Sequence, residues 1–339
     1  MNKKLPILTI VLAAMLAACS SESASDEWSM DNDQQSEGDR LRLGACMTRS
    51  ADVAVSDGTR LEFFLTSSTA SARHQFTYNA DADQWSSNAL VYEEQTYHVF
   101  GYMPAQDVQS ASIAPIASSF DYGAVLTLNG LPVVTSLDVC FVTGVKSGTG
   151  VTTVRDIADW NYLYVGQEEG ANYINLALDH LFAGLSLSFR VDEKYALLRT
   201  IKLKRVQLQP SVTSLVNVSI TQLVGLPSTM TFTATDTPSA AVCELFSSTD
   251  GETLTAEPSL SVSTNILPHI SGLTLLSTYD VYDKAGNCIR QDCMVENKLE
   301  DVISQERGSL TNLTLTIAPT YLYILSDADL NNPVVNVEN

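Results

Sequence analysis

The side chains best suited to metal or nucleophilic chemistry in this 339-residue chain are four histidines and six cysteines, and their spacing favours neither. His74, His98, His180 and His269 stand far apart, none with a second ligand at metal spacing. Asp179 and His180 could open a catalytic triad, but no Gly-x-Ser-x-Gly elbow accompanies them, so a satisfied structural histidine is the simpler reading. There is no His-Glu-x-x-His, no phosphate-binding glycine loop and no dinucleotide fingerprint. Cys140, inside the apolar run 139–142, reads as a small buried hydrophobe. Cys288 and Cys293 are five residues apart, which on a continuous strand puts their side chains on opposite faces and their Cα atoms roughly 16 Å apart, so a bridge needs a bulge or turn between them. Asp327, Asp329, Asn331 and Glu338 fall at positions 1, 3, 5 and 12 of a calcium loop, yet Asn332 stands where that loop requires glycine, and a polar turn into residues 333–337 is the plainer reading. The chain's 39 acids contain carboxylate pairs by chance alone. No enzyme, metal or cofactor is expected.

Cys19 differs from the other cysteines because of what precedes it. Lys3 and Lys4 form a basic start, residues 5–14 an apolar run too short to span a bilayer, and Ala17 and Ala18 are small residues just ahead of the cysteine. This reads as a lipoprotein signal peptide over residues 1–18, with Cys19 as the acylated residue of the processed chain. Removing the leader moves the formal charge from −20 to about −22. Such a polyanion repels phosphate backbones and anionic headgroups, so nucleic acid is not an expected partner. From Ser20 to Asp39 there are seven acids and no base; residues 19–43 therefore read as a solvated acidic tether.

Beyond the tether the pattern has a period of two. Leu61, Phe63 and Leu65 alternate, residues 76–78 lead into a polar turn at 79–83, and residues 97–103 are apolar on both faces before Pro104. Residues 126–128 and 139–142 continue the series, and a short helical segment is expected at 156–160. A second series opens with Leu185, Leu187, Phe189 and Val191 on one face. Ile201 and Leu203 share one parity and Val206 and Leu208 the other, which predicts a bulge near Lys204 or Arg205. Further strands are expected at 273–281 and 313–317, with a hairpin turn at 283–287. The expected fold is all-β, two tandem Greek-key sandwiches over residues 44–170 and 171–339, with no internal repeat between them.

In this order the residues resemble the fimbrillin-type proteins of Bacteroidales, subunits of lipoprotein-derived pili. Thr48-Arg49-Ser50 after the acidic tether is similar to that family's arginine processing site. Trp85 with the Tyr97 to Pro104 stretch is similar to its N-terminal strand motif, Asp179-His180 ahead of residues 185–191 to the opening of its second domain, and residues 308–330 to its characteristic end. The resemblance implies transthyretin-like sandwiches, export to the outer membrane through the Cys19 lipid, and a cut between Arg49 and Ser50 by an arginine-specific protease. It further implies head-to-tail polymerisation with other fimbrial subunits by strand addition, and a host or bacterial receptor for a tip subunit. The donor strand is expected in the tail, where Val334, Val335 and Val337 supply partial alternation. The other reading is a surface glycan-binding lipoprotein, with Trp85, Trp160 and tyrosines as sugar platforms, although alternation places several of these in a core.

Overall fold

The computed structural model describes residues 39–48, 55–166, 172–211, 213–235, 242–268, 272–299, 303, 306–318 and 334–338. Strand dominates them, as the alternation requires. The first sheet runs in the order Arg42–Thr48, Tyr173–His180, Cys140–Ser147, Thr96–Met103, Arg60–Thr66, Ser71–Asn79, Gln84–Ser86. It curls until its two outermost strands, Arg42–Thr48 and Gln84–Ser86, touch. One face encloses a core of Leu43, Phe63, Phe76, Val99, Val142 and Leu176. The other face, through Phe64, Tyr102 and Phe141, packs into a second and larger core. Arg60–Thr66 is therefore buried on both faces beyond Arg60, where clean alternation suggests a half-buried strand. The buried charged member of that strand, Glu62, is accommodated because Arg73 and Tyr102 donate to its carboxylate, at 2.6 and 2.7 Å.

Two hairpins make the second sheet, in the order Thr229–Ala234, Leu215–Leu223, Ser119–Pro132, Ser110–Ile116. Phe100, Phe120 and Tyr162 fill a small separate core nearby. Two further sheets face each other across the large core. One has the order Val134–Thr135, Leu260–Ile266, Ala183–Val191, Leu310–Ala318, Val334–Glu338; the other has Cys243–Thr253, Thr200–Gln209, Thr274–Tyr282, Cys288–Lys298. Leu185, Leu187 and Phe189 supply one side of that core, Ile201, Leu203, Leu275 and Tyr279 the other. The register slips between Leu203 and Arg205, where the parity change predicts a bulge. Asp283 accepts the Asn287 backbone N–H at 2.8 Å and closes the expected 283–287 turn.

Ladder pairs among the described residues cross residue 170 four times, two of them joining Val134–Thr135 to Leu260–Ile266 and Arg42–Thr48 to Tyr173–His180. Tyr173–His180 belongs to the first sheet, and Leu215–Leu223 pairs with Ser119–Pro132. Strand also begins ahead of residue 44, with Asp39–Arg40 paired to Leu90–Val91 and Leu41 and Leu43 buried. The helical turn expected at 156–160 is a 3-10 turn at Val154–Asp156. A true α-helix lies at Glu193–Leu198, begun by Asp192, whose carboxylate accepts the Tyr195 N–H at 3.0 Å. Among the described residues no helix is long and apolar enough to cross a membrane.

Candidate functional site

The first sheet ends in a strand of unusual direction. Arg42–Thr48 runs parallel to Tyr173–His180, with Arg42 opposite Tyr173, Leu43 opposite Ile174, Cys46 opposite Leu176 and Thr48 opposite Leu178, while every other described ladder of that sheet is antiparallel. Leu41 and Leu43 anchor it in the first core, each contributing about 1.5–3 kcal/mol through burial. Arg42 lies over the Tyr173 ring and donates to its hydroxyl at 3.0 Å. The Cys46 thiol points inward and donates to Met103 Sδ at 3.5 Å; its dry surroundings push its pKa up to about 12, so it stays protonated at neutral pH. Register slips between Ile174 and Asn175, opposite Gly44. A Cβ on Gly44 would stand 2.8 Å from Asn175 Oδ1, and Asn175 is itself held by bonds to the carbonyls of Lys146 and Gly148. On the strand's other side is a groove lined by Arg40, Arg42, Gly44, Trp85 and Tyr173. No ladder closes that side, so the strand is held along one edge only.

The second feature is the tail. Val334–Glu338 is a strand, antiparallel to Leu310–Ala318, with Val334 opposite Ala318, Val335 opposite Ile317 and Val337 opposite Leu315. It too is an outermost strand. Leu310–Ala318 lies parallel to Ala183–Val191 on its far side, and its Leu313, Leu315 and Ile317 reach the large core.

Cys19, Arg49, Ser50 and all but Glu338 of the calcium-loop positions lie outside the described residues. Asp179 and His180 do not act as a dyad. The Asp179 carboxylate takes the His180 backbone N–H at 2.9 Å and faces Arg307 at 3.2 Å, whereas the His180 ring bonds Asp138. Cys46, Cys140, Cys243, Cys288 and Cys293 are free thiols, with Cys288 exposed and Cys293 buried, and the register slips between these two. Trp85 and Trp160 pack against core residues. The parallel strand ahead of Arg49 was missed in the sequence, although Leu41 and Leu43, alternating with Arg40 and Arg42, carry the period-two signal.

No family model matches the chain, and no curated protein matches it. The chain is similar to several solved structures. One is a candidate cell adhesion protein from Bacteroides uniformis, at 15% identity and TM-score 0.45, covering 90% of this chain and 98% of that one. Another is a fimbrial protein from Bacteroides vulgatus, at 12% identity and TM-score 0.45, covering 88% and 98%. A third is among candidate polysaccharide binding proteins from Bacteroides thetaiotaomicron, at 8% identity and TM-score 0.36, covering 84% and 93%.

Proposed function

We propose that this chain is a structural subunit, stalk or tip, of a cell-surface fimbrium, assembled by strand exchange after proteolytic trimming. The reading rests on one observation: Arg42–Thr48, which ends immediately before Arg49, is a one-sided edge strand whose backbone completes the ladder of Tyr173–His180. A cut after Arg49 severs that strand from the body. Its departure uncovers the backbone N–H and C=O groups of Tyr173–His180 and thins the cover over Ile174, Leu176 and Leu178, all fully buried in the intact chain. Such a slot, apolar in the middle and unpaired along its rim, accepts an extended segment by main-chain pairing. Val334–Glu338, already a strand held along one side, is the segment offered to the next subunit. The contact is head-to-tail and does not close, so it yields a filament. The lipid on Cys19 tethers the precursor to the outer membrane until the cut releases it.

The test is the mass and N-terminal sequence of the surface form. Wild type is expected to begin at Ser50 and to form heat-labile ladders on gels. Arg49→Ala is expected to keep the lipidated full-length mass and to form no ladder; normal trimming in that variant overturns the processing step.

A further inference from the structure

Three different metal-binding atoms meet at one end of the first core. Cys140 stands directly opposite His180 in the antiparallel ladder, and Asp138 lies two residues earlier, on the same parity as Cys140. Cys140 Sγ is 3.4 Å from His180 Nδ1, and Asp138 Oδ2 bonds that same nitrogen. The sulfur, nitrogen and oxygen atoms all lie within 4.8 Å of one another. Cys140 and His180 are buried, at 0% and 2% exposure. The Asp138 side chain is 30% exposed and sits beside exposed Ser136 and Leu137, which gives the cluster a path to solvent. Its second oxygen, Oδ1, is buried with no hydrogen-bond partner among the described residues.

This is not the geometry of a nucleophilic triad. There the histidine turns one ring nitrogen to the nucleophile and the other to the carboxylate; here thiol and carboxylate converge on Nδ1. Convergence on a single nitrogen, with a spare carboxylate oxygen alongside, suits a cation seated between the three. We propose that Asp138, Cys140 and His180 form a binding site for zinc, with three protein ligands and a fourth position open. Thiolate, imidazole and carboxylate together are a borderline-soft set that zinc takes and that calcium and magnesium do not. Tetrahedral zinc at about 2.0–2.3 Å from each ligand puts sulfur and nitrogen roughly 3.5 Å apart, close to the 3.4 Å found. Binding replaces the Asp138–His180 hydrogen bond, whose Nδ1 proton moves to Nε2 so that the neutral ring ligates through Nδ1, and it releases the thiol proton to solvent. All three residues follow Arg49, so the site stays with the trimmed subunit.

The experiment titrates the purified full-length chain, reduced and stripped with a chelator, first with Co²⁺ and then with Zn²⁺. One equivalent of cobalt is expected to give a thiolate-to-cobalt charge-transfer band and tetrahedral ligand-field bands, which one equivalent of zinc bleaches. Asp138→Asn, altered at a partly exposed side chain, should fold normally by circular dichroism and bind zinc at least about tenfold more weakly. Cys140→Ser should lose the charge-transfer band, and Cys288→Ser, which removes the exposed thiol, should keep it. Absence of the band in wild type, its loss with Cys288→Ser, its survival in Cys140→Ser, or unchanged zinc affinity in Asp138→Asn each overturns the assignment.

Discussion

Glu62 shows how a single charged side chain is made compatible with a strand buried on both faces. Its carboxylate accepts from Arg73 and Tyr102, and burial plus the neighbouring negative charge hold the Tyr102 hydroxyl protonated by pushing its pKa well up. Tyr102→Phe leaves one buried carboxylate oxygen without its donor and is expected to lower stability by about 1–3 kcal/mol, read from the denaturant midpoint. His98 presents the opposite problem. It is 5% exposed, its Nδ1 has no partner among the described residues, and Asp121 approaches Nε2 only to 3.9 Å. Burial lowers its pKa, with Asp121 opposing in part, and burial lowers that of His74 as well. Unfolded, these imidazoles titrate near 6.5, so below that pH the unfolded chain binds more protons than the folded one. Stability is therefore full above about pH 6.5 and falls as pH drops through the depressed folded values. Thermal midpoints at pH 7.5 and 5.5 should show this loss, and His98→Gln should shrink the difference.

Apart from the strand ahead of Arg49, element-scale features were legible where one strand carried its own evidence. Leu185, Leu187 and Phe189 alternate in sequence and in burial, and the parity change from Leu203 to Val206 marks a slip in register. The helix Glu193–Leu198 follows a strand too closely for periodicity to show it, although Asp192 is a capping residue with Glu193 in the first turn. Partners were not legible. Alternation assigns a residue to a face but names no neighbour, so nothing in the sequence joins Leu215–Leu223 to Ser119–Pro132. For the same reason Cys140 and His180 read as two unrelated buried residues until the ladder set them opposite each other. The tail carries a prediction at this scale. Deleting residues 331–339 removes a strand paired on one side only, so the monomer should keep its β signal by circular dichroism while gel ladders disappear. Undiminished ladders would exclude the tail as donor.

For the molecule as a whole, a formal charge of −20 opposes any association between copies. The proposed strand exchange would bring two polyanions together, and salt shortens the reach of their repulsion from about 30 Å at 10 mM to about 8 Å at 150 mM. Polymerisation of trimmed subunits, followed by light scattering, is expected to quicken over that range of NaCl. A subunit pairing through buried opposite charges would slow instead.

The parallel pairing of Arg42 with Tyr173 spans about 130 residues of chain. A polypeptide that leaves the cell N-terminus first presents this segment early and must wait for the far half of the sheet before it can be seated. Local hairpins such as Arg60–Thr66 with Ser71–Asn79 have no such delay. Arg42–Thr48 is thus seated later than the local hairpins, and it is held along one edge only. On the proposed reading, the seam that closes late in folding is the one that trimming after Arg49 reopens.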